Sequence, residues 1–318
     1  MKIRTVTGWI TPQQAGITDA HNHAWIEPVP GTTPGLPVLV DQENISKELM
    51  DFHQAGGGTI IDCQPGGCGR NGRVLYQLSK ESKVHLISCT GFHLKKYYQP
   101  DYWLFDAPVE KAADFFLSEL CIGLVETLDT GSPVQAGFIK IACQESLIGS
   151  PMNLMEAAVM ASMETNSAIE VHTEKGLQGE QIARALLDFG LSPSKLILCH
   201  VDKRPDYGFH YELFTAGVTL EYDTFFRSKY HPDEHVWPLL ERVVSAGFEG
   251  QVVVATDLAD STQWSRLGNG PGLTGLMDLI MPRMAKIGFQ TQTIQKLIGG
   301  NIASRLVRST EMAEITNA

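Results

Sequence analysis

Short apolar runs alternate along the chain with longer segments in which apolar residues recur every three or four positions. The runs are Gly16–Ala20, Thr59–Cys63, His85–Cys89, Gly137–Ile141, Ala168–Val171, Leu196–Cys199, Val218–Tyr222 and Gln251–Thr256. Near-continuous apolarity marks strands covered on both faces, as in a parallel sheet. Helical periodicity falls between them, for example over Asn44–Ala55, Val109–Leu120, Leu154–Thr165, Leu177–Phe189 and Glu234–Ala246. Gly190 followed by Leu191-Ser-Pro-Ser194 stops a helix and leads into the next strand. Eight such strand–helix units in 318 residues predict an α/β fold, a closed (β/α)8 TIM barrel rather than an open sheet. The segment before the first strand predicts a short N-terminal β-hairpin, and Thr291–Ala318 a helical C-terminal extension. Long connections, Thr90–Pro108 and Asp257–Gly272, both follow strands, on the face where barrels carry their active sites.

Composition narrows the class. A 43 % hydrophobic fraction and a mean hydropathy of −0.06 allow a large core and exclude disorder. No repeat or linker divides the sequence, so residues 1–318 are read as one domain. With 25 Lys+Arg against 36 Asp+Glu the net charge is −11, which argues against nucleic acid as a partner. No apolar stretch approaches the ~20 residues of a membrane span, and MKIRTVTGWITPQQ lacks a signal peptide's apolar centre. Six Cys without a CxxC fit free thiols in a reducing, cytoplasmic setting.

Chemistry gathers at the strand ends. His21 and His23 follow the first strand, Lys140 lies in the fourth, and His172, His200 and Asp257 follow the fifth, sixth and eighth. All would face one barrel mouth. Two His at i and i+2 project to the same side, and imidazole with carboxylate suits Zn²⁺ and neighbouring divalent ions. A lone HxH carries little weight; four His and an Asp in phase with strand ends carry much more. Lys140 differs, because an ammonium has no lone pair to ligate with. Within Phe138-Ile-Lys-Ile141 its head either pairs with an acid, reaches the mouth, or reacts with CO₂ to become an anionic carbamate.

Longer stretches carry a resemblance. They are Thr5-Val-Thr-Gly-Trp-Ile-Thr-Pro12 leading to Gly16-Ile-Thr-Asp-Ala-His-Asn-His23, then Gly58-Thr-Ile-Ile-Asp62 and Gly69-Arg-Asn71. Further on come Gly137-Phe-Ile-Lys-Ile-Ala142, Ile169-Glu-Val-His172, Gly190-Leu-Ser-Pro193 with Cys199-His200, and Ala255-Thr-Asp257. Over essentially its whole length the chain resembles the phosphotriesterase-like family of the amidohydrolase superfamily. That resemblance implies a binuclear site, usually zinc (Mn²⁺, Co²⁺ or Fe²⁺ otherwise), bridged by a carbamylated lysine and a hydroxide. It implies His21, His23 and Asp257 on the buried ion, His172 and His200 on the outer one, and Lys140 as the bridge. Asp257 would also move the catalytic proton. One departure, Gly299-Gly-Asn-Ile-Ala-Ser-Arg305, replaces the family's frequent Asn-Pro-Ala-Arg without touching a ligand.

Substrate choice rests on loops. Lys203 follows His200, and Arg227 and Tyr230 follow the seventh strand; together they could bind an anion, or remain solvated loop residues. The Arg-x-Lys-Tyr segment, with Asp257-Leu-Ala-Asp-Ser-Thr-Gln-Trp264 and Gly268-Asn-Gly-Pro-Gly272, resembles the branch that opens phosphorylated sugar lactones. The expectation is a lactonase acting on a small anionic lactone or ester. Organophosphate triesterase and amide hydrolase are the alternatives within the family. A homodimer is a further expectation.

Other readings are weaker. Gly67-Cys-Gly-Arg-Asn-Gly72 matches GxGxxG, but Ser88-Cys-Thr90 stands where a dinucleotide site needs an acid, so a tight loop is expected. A TatD-like metal nuclease would carry Glu in place of Lys140 and a more basic surface. A non-catalytic metal-binding module would not need Asp257. His93 is a candidate for substrate contact, Asp62 for orienting a ligand, Trp25 and Trp264 for walling the pocket. Cys63 and Cys199 read as core thiols rather than nucleophiles.

Overall fold

Antiparallel pairing of Ile3–Thr5 (β1) with Gly8–Ile10 (β2) forms the expected hairpin in the computed structural model, which describes residues 1–309. Eight parallel strands follow: Ile17–Asn22 (β3), Gly57–Asp62 (β4), His85–Gly91 (β5), Phe138–Ala142 (β6), Ile169–His172 (β7), Leu196–Cys199 (β8), Thr219–Tyr222 (β9) and Val252–Val254 (β10). They pair in chain order with helices between them, a nearly closed (β/α)8 barrel. The β10–β3 seam is held differently. Asp257 N–H donates to His21 O at 3.0 Å, and Asp19 takes the Thr256 N–H at 3.0 Å and its hydroxyl at 2.5 Å.

Alternation along each strand sorts side chains into two layers. Ile60, Leu86, Ile139, Val171, Leu198, Leu220 and Val252 face outward, in one apolar cluster with Leu49, Phe52, Leu78, Phe116 and Leu154 of the helices. Ala20, Ile61, Ile87, Phe138, Ile197 and Val253 fill the barrel interior. Ile3 and Ile10 of the hairpin, with Ile302 and Leu306 of the helix Asn301–Leu306, belong to that inner cluster and close its bottom. Each such side chain contributes roughly 1.5–3 kcal/mol by leaving water. The mouth is left to polar residues.

Helix starts follow from local chemistry. Asp41 caps Gln42–Gln54 by accepting from Asn44 N–H at 3.1 Å, and Asn71 caps Gly72–Ser82. Strand ends differ from the sequence expectation for physical reasons. β5 runs past Cys89 to Gly91, whose φ of 106° no larger residue adopts easily; a Cβ there would lie 1.9 Å from Lys140 O. That approach lets Phe92 N–H donate to Lys140 O at 2.8 Å. β10 is shorter than Gln251–Thr256 because Thr256 turns its donors to Asp19 across the seam. Of the expected C-terminal extension, Thr291–Gln295 and Asn301–Leu306 are helical; residues beyond 309 lie outside the described part.

Candidate metal centre

The strand ends bring His21, His23, His172, His200 and Asp257 to one cavity of about 310 Å³ at the barrel mouth. Three of the rings are anchored through Nδ1. His21 Nδ1 meets Glu221 Oε1 at 2.7 Å, His23 Nδ1 meets Gln64 Oε1 at 2.8 Å, and His200 Nδ1 meets Asp223 Oδ2 at 2.7 Å. Every partner is an acceptor, so each Nδ1 carries the proton and each Nε2 keeps a free lone pair. His172 is turned the other way: its Nε2 meets Glu174 Oε1 at 3.2 Å, leaving Nδ1 free. The His172 and His200 ring centres are 4.7 Å apart, and those of His21 and His200 4.9 Å.

Spacing and charge both suit a cation. Asp257 Oδ1 stands 3.9 Å from His21 Nε2 and 3.8 Å from His23 Nε2, too long for hydrogen bonds. Two donors each ~2.1 Å from a shared ion stand no more than ~4.2 Å apart, so both distances suit a shared ion, and ligand atoms of the three residues all lie within 4.8 Å of one another. Burial pushes His23 down to about 4 and His21 and His200 well below the usual range, so the rings are neutral at pH 7, the form in which imidazole can bind a metal. Burial alone would raise Asp257, but the Arg227 guanidinium and His200 hold its carboxyl below the ordinary value. Buried Glu170 Oε2, Glu221 Oε2 and Asp223 Oδ1 have no hydrogen-bond partner. Orphaned acceptors beside free lone pairs are what a cation site looks like without its ion. The residues fit a metal.

Lys140 lies fully buried under this cluster. The register pairs Lys140 of β6 with Glu170 of β7, so both side chains point into the barrel. Its Nζ donates to Glu170 Oε1 at 2.7 Å and lies 3.6 Å from Cys199 Sγ and 3.5 Å from the His21 ring nitrogens. Burial works against its charge, but Cys199, Cys63, Glu170 and Glu221 hold the amine well above the ordinary lysine value. The lysine thus pairs with an acid, one of the readings left open by the sequence. Cys63 donates to Glu170 Oε1 at 2.9 Å, and burial drives the thiols of Cys63 and Cys199 far up, away from nucleophilic use.

Lys203 lines the cavity, and its Nζ stands 5.6 Å from the Tyr230 ring centre. Arg227 is turned to Asp257, its Nη2 donating to the backbone O at 2.5 Å and to Oδ2 at 2.6 Å. Lys203 and Tyr230 therefore meet, but neither Tyr230 nor Arg227 is among the cavity-lining residues, and Arg227 reaches the site only through Asp257. Arg204 pairs with Glu180 instead. His93 also lines the cavity, its ring 4.9 Å from His172 and edge-on to Tyr97. Asp62 accepts the Ala24 N–H at 2.7 Å, pinning the backbone beside His23 rather than a ring. Trp264 is buried, with its Nε1–H on Leu258 O, and Trp25 donates to Glu27; neither is among the cavity-lining residues. Gly67 and Gly69, at φ of 81° and 105°, form the expected tight loop.

Sequence reasoning missed Glu170, Glu221, Asp223 and Gln64. A signal existed for Glu170 and Glu221: each is an acid inside an apolar strand, the same anomaly that singled out Lys140.

A barrel of this topology with these mouth residues defines a metal-dependent hydrolase. The chain belongs to the phosphotriesterase family, whose profile matches residues 1–305. It is 28 % identical over 315 residues to a phospho-furanose lactonase of Mycoplasmopsis synoviae, covering 94 % of this chain and 89 % of that protein. It is 27 % identical to the N-acetyltaurine hydrolase of Salmo salar, covering 94 % of this chain and 96 % of that protein. The crystal structure of a lactonase from Listeria monocytogenes superposes with a TM-score of 0.88 at 25 % identity, covering 98 % of this chain and 100 % of that one. Among the described residues no helix is long and apolar enough to cross a membrane.

Proposed function

We propose that the chain is a lactonase whose substrate carries a phosphate or another anionic group. His21, His23 and Asp257 would hold one divalent ion and His172 and His200 a second, with Lys140, carbamylated by CO₂, between them. Zinc suits the donor set best; Mn²⁺, Co²⁺ and Fe²⁺ are the alternatives. Such ions, when bound, lower the pKa of water and polarise an ester carbonyl.

The chain's own residues supply the rest. Asp257, kept ionised by Arg227, accepts the proton of the attacking water and returns it to the leaving alkoxide. Glu221, Gln64 and Asp223 fix the rings of His21, His23 and His200, so no reorientation accompanies the reaction. Lys203 holds the anionic end of the substrate, with the Tyr230 ring behind it. Pro34, Leu36 and Pro37 line the same cavity.

The observation that carries this reading is Lys203 on the cavity wall of a protein with net charge −11, its Nζ 5.6 Å from the Tyr230 ring centre. The phospho-furanose lactonase relative supports it. A cavity of about 310 Å³ leaves little room for a large triester. Amide hydrolysis is the second reading, favoured by the relative named for N-acetyltaurine, an amide with an anionic end. The test is a panel of phosphorylated and plain γ-lactones, N-acetyltaurine and an aryl triester, assayed on metal-loaded protein. The phosphorylated lactone should give the highest kcat/KM. A higher value for N-acetyltaurine would replace lactonase with amidase.

A further inference from the structure

Lys140 Nζ has one short contact with a strong acceptor, the His21 ring nitrogens lying farther off at 3.5 Å. Glu170 Oε1 stands 2.7 Å away, against 3.6 Å for the weakly accepting Cys199 Sγ. Oε1 is itself fixed, taking the Cys63 thiol at 2.9 Å and lying 3.2 Å from His21 Nδ1. The adjacent-strand register holds the two backbones, and both side chains are fully buried, so the pair has little freedom.

From this geometry we infer that Glu170 is a positioning residue for the carbamylated form of Lys140, on which the reading above relies. In carbamylation the free amine's lone pair attacks the carbon of CO₂. A new N–C bond forms, one C=O π pair moves to oxygen, and the product is Lys–NH–CO₂⁻. Starting from the ammonium, two protons leave to solvent and one N–H remains. That N–H has Glu170 Oε1 in place to accept it. A carbamate nitrogen is planar, as in a peptide, so fixing its N–H fixes the plane of the whole group. The CO₂⁻ then projects from Nζ on the side away from Glu170. Glu170 acts through position, as an acceptor; its charge, 2.7 Å from Nζ, favours the ammonium and works against carbamylation.

Two substitutions separate position from charge. Glu170→Gln keeps an acceptor oxygen at the same reach without the charge; Glu170→Asp keeps the charge but withdraws the oxygen by one methylene, ~1.5 Å. Carbamate is read by ¹³C NMR after equilibration with ¹³C-bicarbonate, and metal content by elemental analysis of the same samples. Glu170→Gln should hold carbamate and metal at the wild-type level or above it. Glu170→Asp should need about tenfold or more bicarbonate for half occupancy, in the range seen when a ligand's orienting partner is lost. Wild-type occupancy in Glu170→Asp, or loss in Glu170→Gln, overturns the positioning role. Metal-loaded wild type without any ¹³C carbamate signal would instead remove the carbamate itself, a distinguishable failure.

Discussion

Glu221 accepts the Nδ1 proton of His21 at 2.7 Å, across 200 residues of sequence, and so dictates which nitrogen of the ring is free. The remaining carboxylate oxygen, Glu221 Oε2, has no partner. Replacing Glu221 with Ala should weaken metal binding by about 10–100-fold. Chelator competition with Zn²⁺ measures this directly, and an unchanged affinity would show that His21 is oriented by its packing alone.

Metal removal should cost stability as well as activity. An ion bound to the native state at a hundred times its Kd adds about 2.7 kcal/mol. The melting temperature should therefore rise with free Zn²⁺ and fall on chelation. A melting temperature indifferent to both would argue against a cation at this mouth.

Lys203 lines the cavity beside Tyr230 and should act on the anionic end of the substrate. A hydrogen bond to a charged group contributes ~1.5–3 kcal/mol, which is roughly 10–150-fold. Lys203→Ala should lower kcat/KM for a phosphorylated lactone by that factor. The unphosphorylated lactone should change little, and equal losses on both would contradict the assignment.

His210 gives a pH dependence with a definite sign. It is buried between the Tyr222 hydroxyl, which donates to Nδ1 at 2.8 Å, and Arg204 O, which accepts from Nε2 at 2.9 Å. The Tyr222 bond requires an unprotonated Nδ1, whereas the Arg204 bond survives in the charged ring; burial outweighs the latter and pushes His210 down to about 4. Between the unfolded value near 6.5 and about 4 the unfolded chain binds a proton that the native state refuses. Stability is therefore lost as pH falls through that window, by on the order of 3 kcal/mol. His210→Gln should flatten the stability–pH curve there relative to wild type. Parallel curves would refute the assignment.

Arg70 offers a structural test. Its guanidinium bonds Glu119, Glu126 and Cys89 O, and the Arg70 and Glu119 side chains are buried. Arg70→Ala would strand Glu119 without its cation, at a cost of about 3–5 kcal/mol. A shift in denaturant midpoint at constant slope is the expected result. A stability within 1 kcal/mol of wild type, well under the ~3–5 kcal/mol above, would mean that water replaces the arginine.

The order of strands was legible in the sequence because parallel strands buried on both faces leave plain apolar runs. The candidate ligands at the mouth were legible for a related reason: polar His and Asp residues sit where those runs stop, and barrel topology sends all strand ends to one face. Lys140 stood out because a charge inside an apolar run is costly. The sequence stated that this lysine needed a partner or a modification, and it could go no further. Glu170 and Glu221 sit mid-strand, and which face each points to depends on register, which no local pattern specifies. Only the closed barrel sets Lys140 opposite Glu170 and brings Glu221 under His21. The same holds for Arg227, a loop cation by sequence, which the fold turns onto Asp257. Periodicity is a local property of the chain. The partner of a buried charge is fixed by distances that exist only after the strands have closed.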